Sequence, residues 1–219
     1  MKFFVNFLSA FRITAAFLLI PTMLLSIASN HTVFWIWASF ILFLLGSISD
    51  WFDGYLARKY NVCTKIGGVM DHIGDKLLVV HTMIMLTVQY AFGSAVTSIV
   101  SQTLTTPILW LMVIPVVIMI ARELYISGLR EFLGTQKIEM PVPKARFSMG
   151  KIKTTMQMIS LSLFLFMPAL SSIMTSDQPH IINTLFMIAF ATLWLALFAS
   201  LWSATQYTKT FLGHLKKIK

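Results

Sequence analysis

Six long apolar stretches run through the chain, at roughly residues 7–29, 33–60, 68–90, 106–134, 152–173 and 181–207. Each reaches the ~20 residues that a helix needs to cross a bilayer core. Only 11% of the 219 residues are charged, and 57% are hydrophobic. A soluble domain carries about a quarter charged residues. The pattern predicts an all-α integral membrane protein with six transmembrane helices. No internal repeat or second domain interrupts it, so residues 1–219 read as a single membrane-embedded domain. Lys2 and the apolar run after it imitate a signal peptide, but Arg12 interrupts that run. An uncleaved first helix is expected.

The basic residues set the topology. All 17 lie at or near the amino terminus, the connection between the second and third stretches, the connection between the fourth and fifth, or the carboxyl terminus. The other three connections, around Asn30, at 92–105 and at 175–180, hold none. With six spans the two groups alternate across the membrane. The positive-inside rule then predicts that both termini face the cytoplasm. A net charge of +9 is explained by these loops. No basic-aromatic module points to nucleic acid, and none is expected as a partner. The bilayer is.

The acids are distributed very differently. The chain has only eight, and four of them, Asp50, Asp53, Asp71 and Asp75, fall between residues 50 and 76. On a helix Asp50 and Asp53 share one face, which Gly54 and Ala57 continue with small side chains. Gly67, Asp71 and Asp75, four apart, share a face of the next helix. Two antiparallel helices then aim two carboxylates each at one point near the cytoplasmic surface. His72 turns about 100° away from Asp71 and is left out. Three readings compete. Arg58, Lys59, Lys65 and Lys76 can form interfacial salt bridges with the acids, but surface pairs are weak and do not require one-face spacing. A transporter can use the acids for ions, although such sites usually lie near the midplane. A divalent-metal site fits the all-oxygen donor set, which favours Mg²⁺ or Mn²⁺. Four carboxylates can hold two such ions, an arrangement suited to phosphoryl transfer.

The spacing D-x2-D-G-x2-A-R-x8-G-x3-D-x3-D, carried by Asp50, Asp53, Gly54, Ala57, Arg58, Gly67, Asp71 and Asp75, resembles the signature of the CDP-alcohol phosphotransferases. Within that family the chain is similar to the bacterial phosphatidylglycerophosphate synthases. Ser49 to Tyr60, Asp75 to Leu78, Arg122-Glu123, Ile126 to Arg130 and Gly150 to Thr154 carry this likeness. At the amino terminus Asn6, Leu8, Ser9 and Arg12 also fit, while Val5 stands where proline is common.

The resemblance implies a six-helix enzyme of phospholipid biosynthesis, usually a homodimer, in the bacterial inner membrane with its site facing the cytoplasm. It implies transfer of the phosphatidyl group from CDP-diacylglycerol to sn-glycerol 3-phosphate, with release of CMP. Asp50, Asp53, Asp71 and Asp75 would surround two Mg²⁺ or Mn²⁺ ions, with Asp75 as general base. Asp50, Gly54, Ala57, Arg58 and Gly67 would line the CDP site. Other acceptors used within the family are phosphatidylglycerol, serine and inositol phosphate. A phosphorylated acceptor needs cations. Arg122 and Arg130 lie within about 80° of each other on one helix, and arginine suits bidentate phosphate contact. Lys151 and Lys153 begin the next helix at the same membrane level. These four are the expected acceptor-phosphate residues, and Glu123 is placed to hold one of the arginines.

Overall fold

A computed structural model describes residues 2–29, 31–60, 65–92, 106–135, 149–173 and 179–218. Among them are six α-helices and no strand: α1 (Lys2–Ala28), α2 (Thr32–Tyr60), α3 (Lys65–Phe92), α4 (Thr106–Thr135), α5 (Met149–Ser171) and α6 (Pro179–Ile218). Each apolar stretch of the sequence lies within one helix or overruns its end by a residue or two. The connection at 93–105 and the Pro141/Pro143 loop lie outside the described residues.

Five helices are long and apolar enough to cross a membrane by length and composition; α3 is the sixth helix. Asp71, Asp75 and Lys76 occupy its first half, which leaves a shorter apolar run from Leu77 to Phe92. Proline stands inside α1, α4 and α5, at Pro21, Pro115 and Pro168. Prolines of this kind are tolerated in spanning helices, where neighbouring groups satisfy the freed backbone. Helical hydroxyls turn back onto their own helices: Ser39 donates to the Trp35 carbonyl at 2.8 Å and Thr82 to that of Leu78 at 2.7 Å.

Polarity is arranged inside out. Large apolar side chains such as Phe17, Ile41, Trp110, Met187 and Phe198 are exposed, whereas Ser9, Arg12, Asp53, Gln89, Lys153, Gln157 and Ser203 are buried. Lipid contact stabilises the first set. The second set must find partners within the protein, because an unpaired polar group is costly there.

Packing resolves two compact units: Met1–Leu109 with Leu161–Met187, and Trp110–Ser160 with Ile188–Lys219. In the first, α1 packs closely against both α2 and α3, and those two touch each other far less. One stripe of α1 makes these contacts: Ser9, Arg12, Ala16, Leu19, Met23 and Ser26 are all buried, three and four apart. Such a 3.5-residue repeat marks side-by-side helix packing. Polar rungs fix its register against α3. Arg12 meets Asp71 and Asp75, the Ala16 carbonyl lies 3.0 Å from His81 Nδ1, and Ser26 Oγ accepts from Gln89 Nε2 at 2.9 Å. Residue numbers rise together along these rungs, so α1 and α3 are parallel. Contacts from Ser9 to Asp53 and from Ala15 to Gly46 run in opposite order, so α1 and α2 are antiparallel. Near the other end of α3, Tyr90 donates to the Phe164 carbonyl at 3.1 Å and packs edge-on against the Phe164 ring.

In the second unit, Met112, Val116, Met119, Ile126 and Leu133 form the buried stripe of α4. Ala189, Leu193, Ala196, Ser200 and Ser203 form that of α6. The small residues of α6 allow close backbone approach. Ser160 of α5 donates to the Ala189 carbonyl at 2.8 Å.

Close approach in the first unit depends on Gly46. A β-carbon there would stand 3.1 Å from both Leu78 methyls and 3.8 Å from the Ala15 β-carbon. Gly46→Leu is expected to destabilise the protein by about 1–3 kcal/mol through overpacking, read as a lower Tm in detergent. Gly213, with nothing within 4 Å of such a β-carbon, is the control. Gly213→Ala is expected to stay within about 0.5 kcal/mol of the parent.

Candidate active site

The acidic residues converge as their spacing predicts. Asp50 and Asp53 project from one face of α2, and Asp71 and Asp75 from one face of α3. One carboxylate oxygen from each of Asp50, Asp53 and Asp71 lies within 4.8 Å of the others. Asp75 joins them through a shared partner, Arg12 of α1.

That partner is the unexpected member of the site. The Arg12 side chain is 0% exposed. Its Nη1 donates to Asp71 Oδ1 at 2.8 Å and to Asp75 Oδ1, and lies 3.2 Å from Asp50 Oδ1. Its Nη2 donates to Asp53 Oδ2, which also accepts from Ser9 Oγ at 3.3 Å. Helix α1, which packs against both α2 and α3, supplies a cation to this site that the spacing of the acids does not announce. In the sequence Arg12 looked like a break in an apolar run and one more topology-setting charge. The available signal was its place on the Ser9–Arg12–Ala16–Leu19–Met23–Ser26 repeat, a core position.

Exposure divides the carboxylates. The Asp53 side chain is 4% exposed, whereas Asp50, Asp71 and Asp75 are 37%, 47% and 43% exposed. Asp53 forms the floor of the site, and the other three reach its mouth. Four carboxylates against one guanidinium leave an excess of negative charge. With oxygen donors from two helices, this set fits a hard divalent cation. His72 is exposed on another face. Gly67 is buried one turn before Asp71, and Gly54 is half-buried one residue after Asp53. The side chains of Ala57 and Arg58 lie outside the described residues.

The expected acceptor residues belong to the second unit. Glu123 gathers two of them: its Oε1 accepts from Arg122 Nη1 at 3.2 Å and from Lys153 Nζ. Arg122 also donates to the Ser200 carbonyl at 3.2 Å and to Ser203 Oγ at 3.0 Å. Arg130 does not join this group. It donates to the Tyr207 hydroxyl at 3.1 Å, with its guanidinium 5.2 Å from that ring's centre. Lys151 is exposed.

The family model for CDP-alcohol phosphatidyltransferases matches residues 3–204. The chain belongs to this family. Among relatives, a CDP-diacylglycerol–glycerol-3-phosphate 3-phosphatidyltransferase of Rickettsia bellii is 36% identical over 86% of this chain and 88% of its own length. A Rickettsia felis protein of the same name is 35% identical over 73% of each chain. One from Salmonella typhimurium is 35% identical over 59% of this chain and 61% of its own. CDP-alcohol phosphatidyltransferases generally depend on a divalent metal, and the aspartate cluster is the donor set this member offers.

Glu123 generates a stability prediction for this phosphatidyltransferase. The Lys153 side chain is only 7% exposed, and Glu123→Gln removes the negative charge that it shares with Arg122. Glu123→Gln is expected to cost about 1–3 kcal/mol, measured by thermal or denaturant unfolding in detergent. Glu123→Gln combined with Lys153→Met is expected to recover part of that loss.

Proposed function

We propose that this chain transfers the phosphatidyl group of CDP-diacylglycerol to sn-glycerol 3-phosphate, giving phosphatidylglycerophosphate and CMP. The observation that carries the reading is the convergence of Asp50, Asp53 and Asp71 from two helices on one point. Relatives named for this reaction cover most of the chain.

Asp50, Asp53, Asp71 and Asp75 are the residues that would hold the metal ions. Bound there, two Mg²⁺ or Mn²⁺ ions would neutralise phosphate oxygens and stabilise charge on the attacking and leaving groups. Asp50, Gly54, Ala57, Arg58 and Gly67 line the CDP site. The small residues bring backbone close to the nucleotide, and Arg58 contacts phosphate. A glycerol hydroxyl oxygen attacks the lipid-side phosphorus, the bond from that phosphorus to the CMP oxygen breaks, and Asp75 takes the hydroxyl proton. Arg122, Arg130, Lys151 and Lys153 receive the acceptor phosphate. Exposed Arg130 and Lys151 offer direct contact, while Arg122 and Lys153 add positive charge around Glu123.

The same reading places all six helices across the bilayer, with both termini and the carboxylate site cytoplasmic. That orientation puts the basic connections inside and brings water-soluble glycerol 3-phosphate to a lipid diphosphate. The chain acts as one catalytic domain, as a homodimer in a bacterial inner membrane.

The deciding assay follows CMP release by purified protein from CDP-diacylglycerol with a panel of acceptors: glycerol 3-phosphate, serine, inositol phosphate and phosphatidylglycerol. Release is expected with glycerol 3-phosphate and Mg²⁺ or Mn²⁺, and is expected to vanish in EDTA. Preference for another acceptor would reassign the substrate. Absence of CMP release together with ion flux in proteoliposomes would make the acids a transport site.

Asp71→Asn and Asp75→Asn are each expected to lower turnover by about 100-fold or more, the scale of losing a general base or a charge-stabilising group. Near-normal turnover in either variant would count against the assignment.

A further inference from the structure

We propose that Arg12 is a positioning residue of the carboxylate site, a fixed buried cation that gathers the acids of α2 and α3 and sets which of their oxygens face a divalent ion. The proposal rests on the metal reading above.

Three observations carry it. The first is the contact set. Arginine does not lose its proton in proteins, so burying it requires paired partners. Arg12 takes one oxygen from each acid, Oδ1 of Asp50, Asp71 and Asp75 and Oδ2 of Asp53, and each carboxylate keeps a second oxygen. A planar fork can divide its donors between two helices in this way, which a lysine ammonium cannot reproduce.

The second is the room made for the side chain. Gly74 stands between Asp71 and Asp75, where a β-carbon would lie 3.3 Å from Arg12 Cδ and 3.7 Å from Arg12 Cβ. Helix α3 therefore lacks a side chain at the level where the Arg12 stem crosses it.

The third is what the arrangement leaves unmet. Arg12 Nε is buried and has no hydrogen-bond partner among the described residues. The guanidinium satisfies the carboxylates at the expense of one of its own donors. Ser9, one turn away on the same stripe, supports the arrangement by bonding Asp53, the most buried acid.

The consequence is a division of labour. Arg12 neutralises part of the cluster from its buried side, so the acids can be assembled before any divalent ion arrives. The exposed acids keep their mouth-facing sides for the ions.

The test uses the full chain in detergent. Unfolding is followed in EDTA and in saturating Mg²⁺, and Mn²⁺ binding is titrated by the EPR signal of the free ion. Arg12→Met keeps similar volume and removes the charge. Its Tm is expected to fall by about 5 °C or more in EDTA, and Mg²⁺ is expected to restore more than half of that loss. Arg12→Lys keeps a charge without the fork. It is expected to stay within about 2 °C of wild type in EDTA while binding Mn²⁺ about tenfold more weakly, as happens when groups supporting metal ligands are removed. Should Arg12→Met not fold, the Arg12→Lys titration decides alone. An equal Tm loss with and without Mg²⁺ in Arg12→Met, or wild-type Mn²⁺ affinity in Arg12→Lys, makes Arg12 a packing residue and overturns the proposal. Failure of the wild-type protein itself to bind Mn²⁺ overturns the metal reading and the proposal with it, so the wild-type titration separates the two failures.

Discussion

A guanidinium buried among apolar helices has no way to become neutral, and this constraint organises the first unit of the protein. Arg12 is fully buried and meets carboxylates from two other helices. Each side of this contact stabilises the other. The acids repel one another unless a cation stands among them, and the arginine cannot leave water unless acids surround it. The contact therefore fixes α1 between α2 and α3 and sets its height along both. Ala16, Ser26, His81 and Gln89 then continue the same alignment towards the far end of the helices.

A bilayer protein draws little stability from moving apolar surface away from its surroundings, because those surroundings are apolar too. Close packing and internal polar contacts carry more of the specificity. Small residues sit where helices approach, at Gly46 against Leu78 and along Ala189, Ala196, Ser200 and Ser203 of α6. Buried polar groups sit where helices must be held in register. The exposed Phe17, Ile41, Trp110 and Phe198 side chains are consistent with the same logic. Their partners are lipid chains, and their identity matters less than their apolarity.

These features were legible in the sequence to different degrees. The placement of the six described helices and the convergence of the aspartates followed from apolar length and from spacings of three and four. Such signals are local and survive without knowledge of which helix neighbours which. The role of Arg12 depended on a neighbour, and a lone basic residue near a terminus has an ordinary explanation in membrane topology. Its position on a 3.5-residue repeat with Ser9, Ala16, Leu19, Met23 and Ser26 was the discriminating feature. A topology charge has no reason to occupy the packing stripe. The stripe of α4 tells a similar story. Met112, Val116, Met119, Ile126 and Leu133 leave gaps at Glu123 and Arg130, which take the vacant steps of the repeat. Glu123 was expected to hold an arginine and does so. That it holds Lys153 as well required the packing of a second helix.

The two clusters obey one rule with opposite signs. In the first unit, a single cation, Arg12, gathers four anions. In the second, a single anion, Glu123, gathers two cations, Arg122 and Lys153. Each lone charge satisfies the demand for pairing that burial imposes, and each is outnumbered. The surplus leaves net negative charge at the aspartates and net positive charge at the arginine and lysine. A neutral pair would meet the cost of burial equally well and leave neither. At the aspartates, unequal pairing therefore marks more than a structural cross-link, because stability alone gives no reason to bring a third and fourth like charge to the same point.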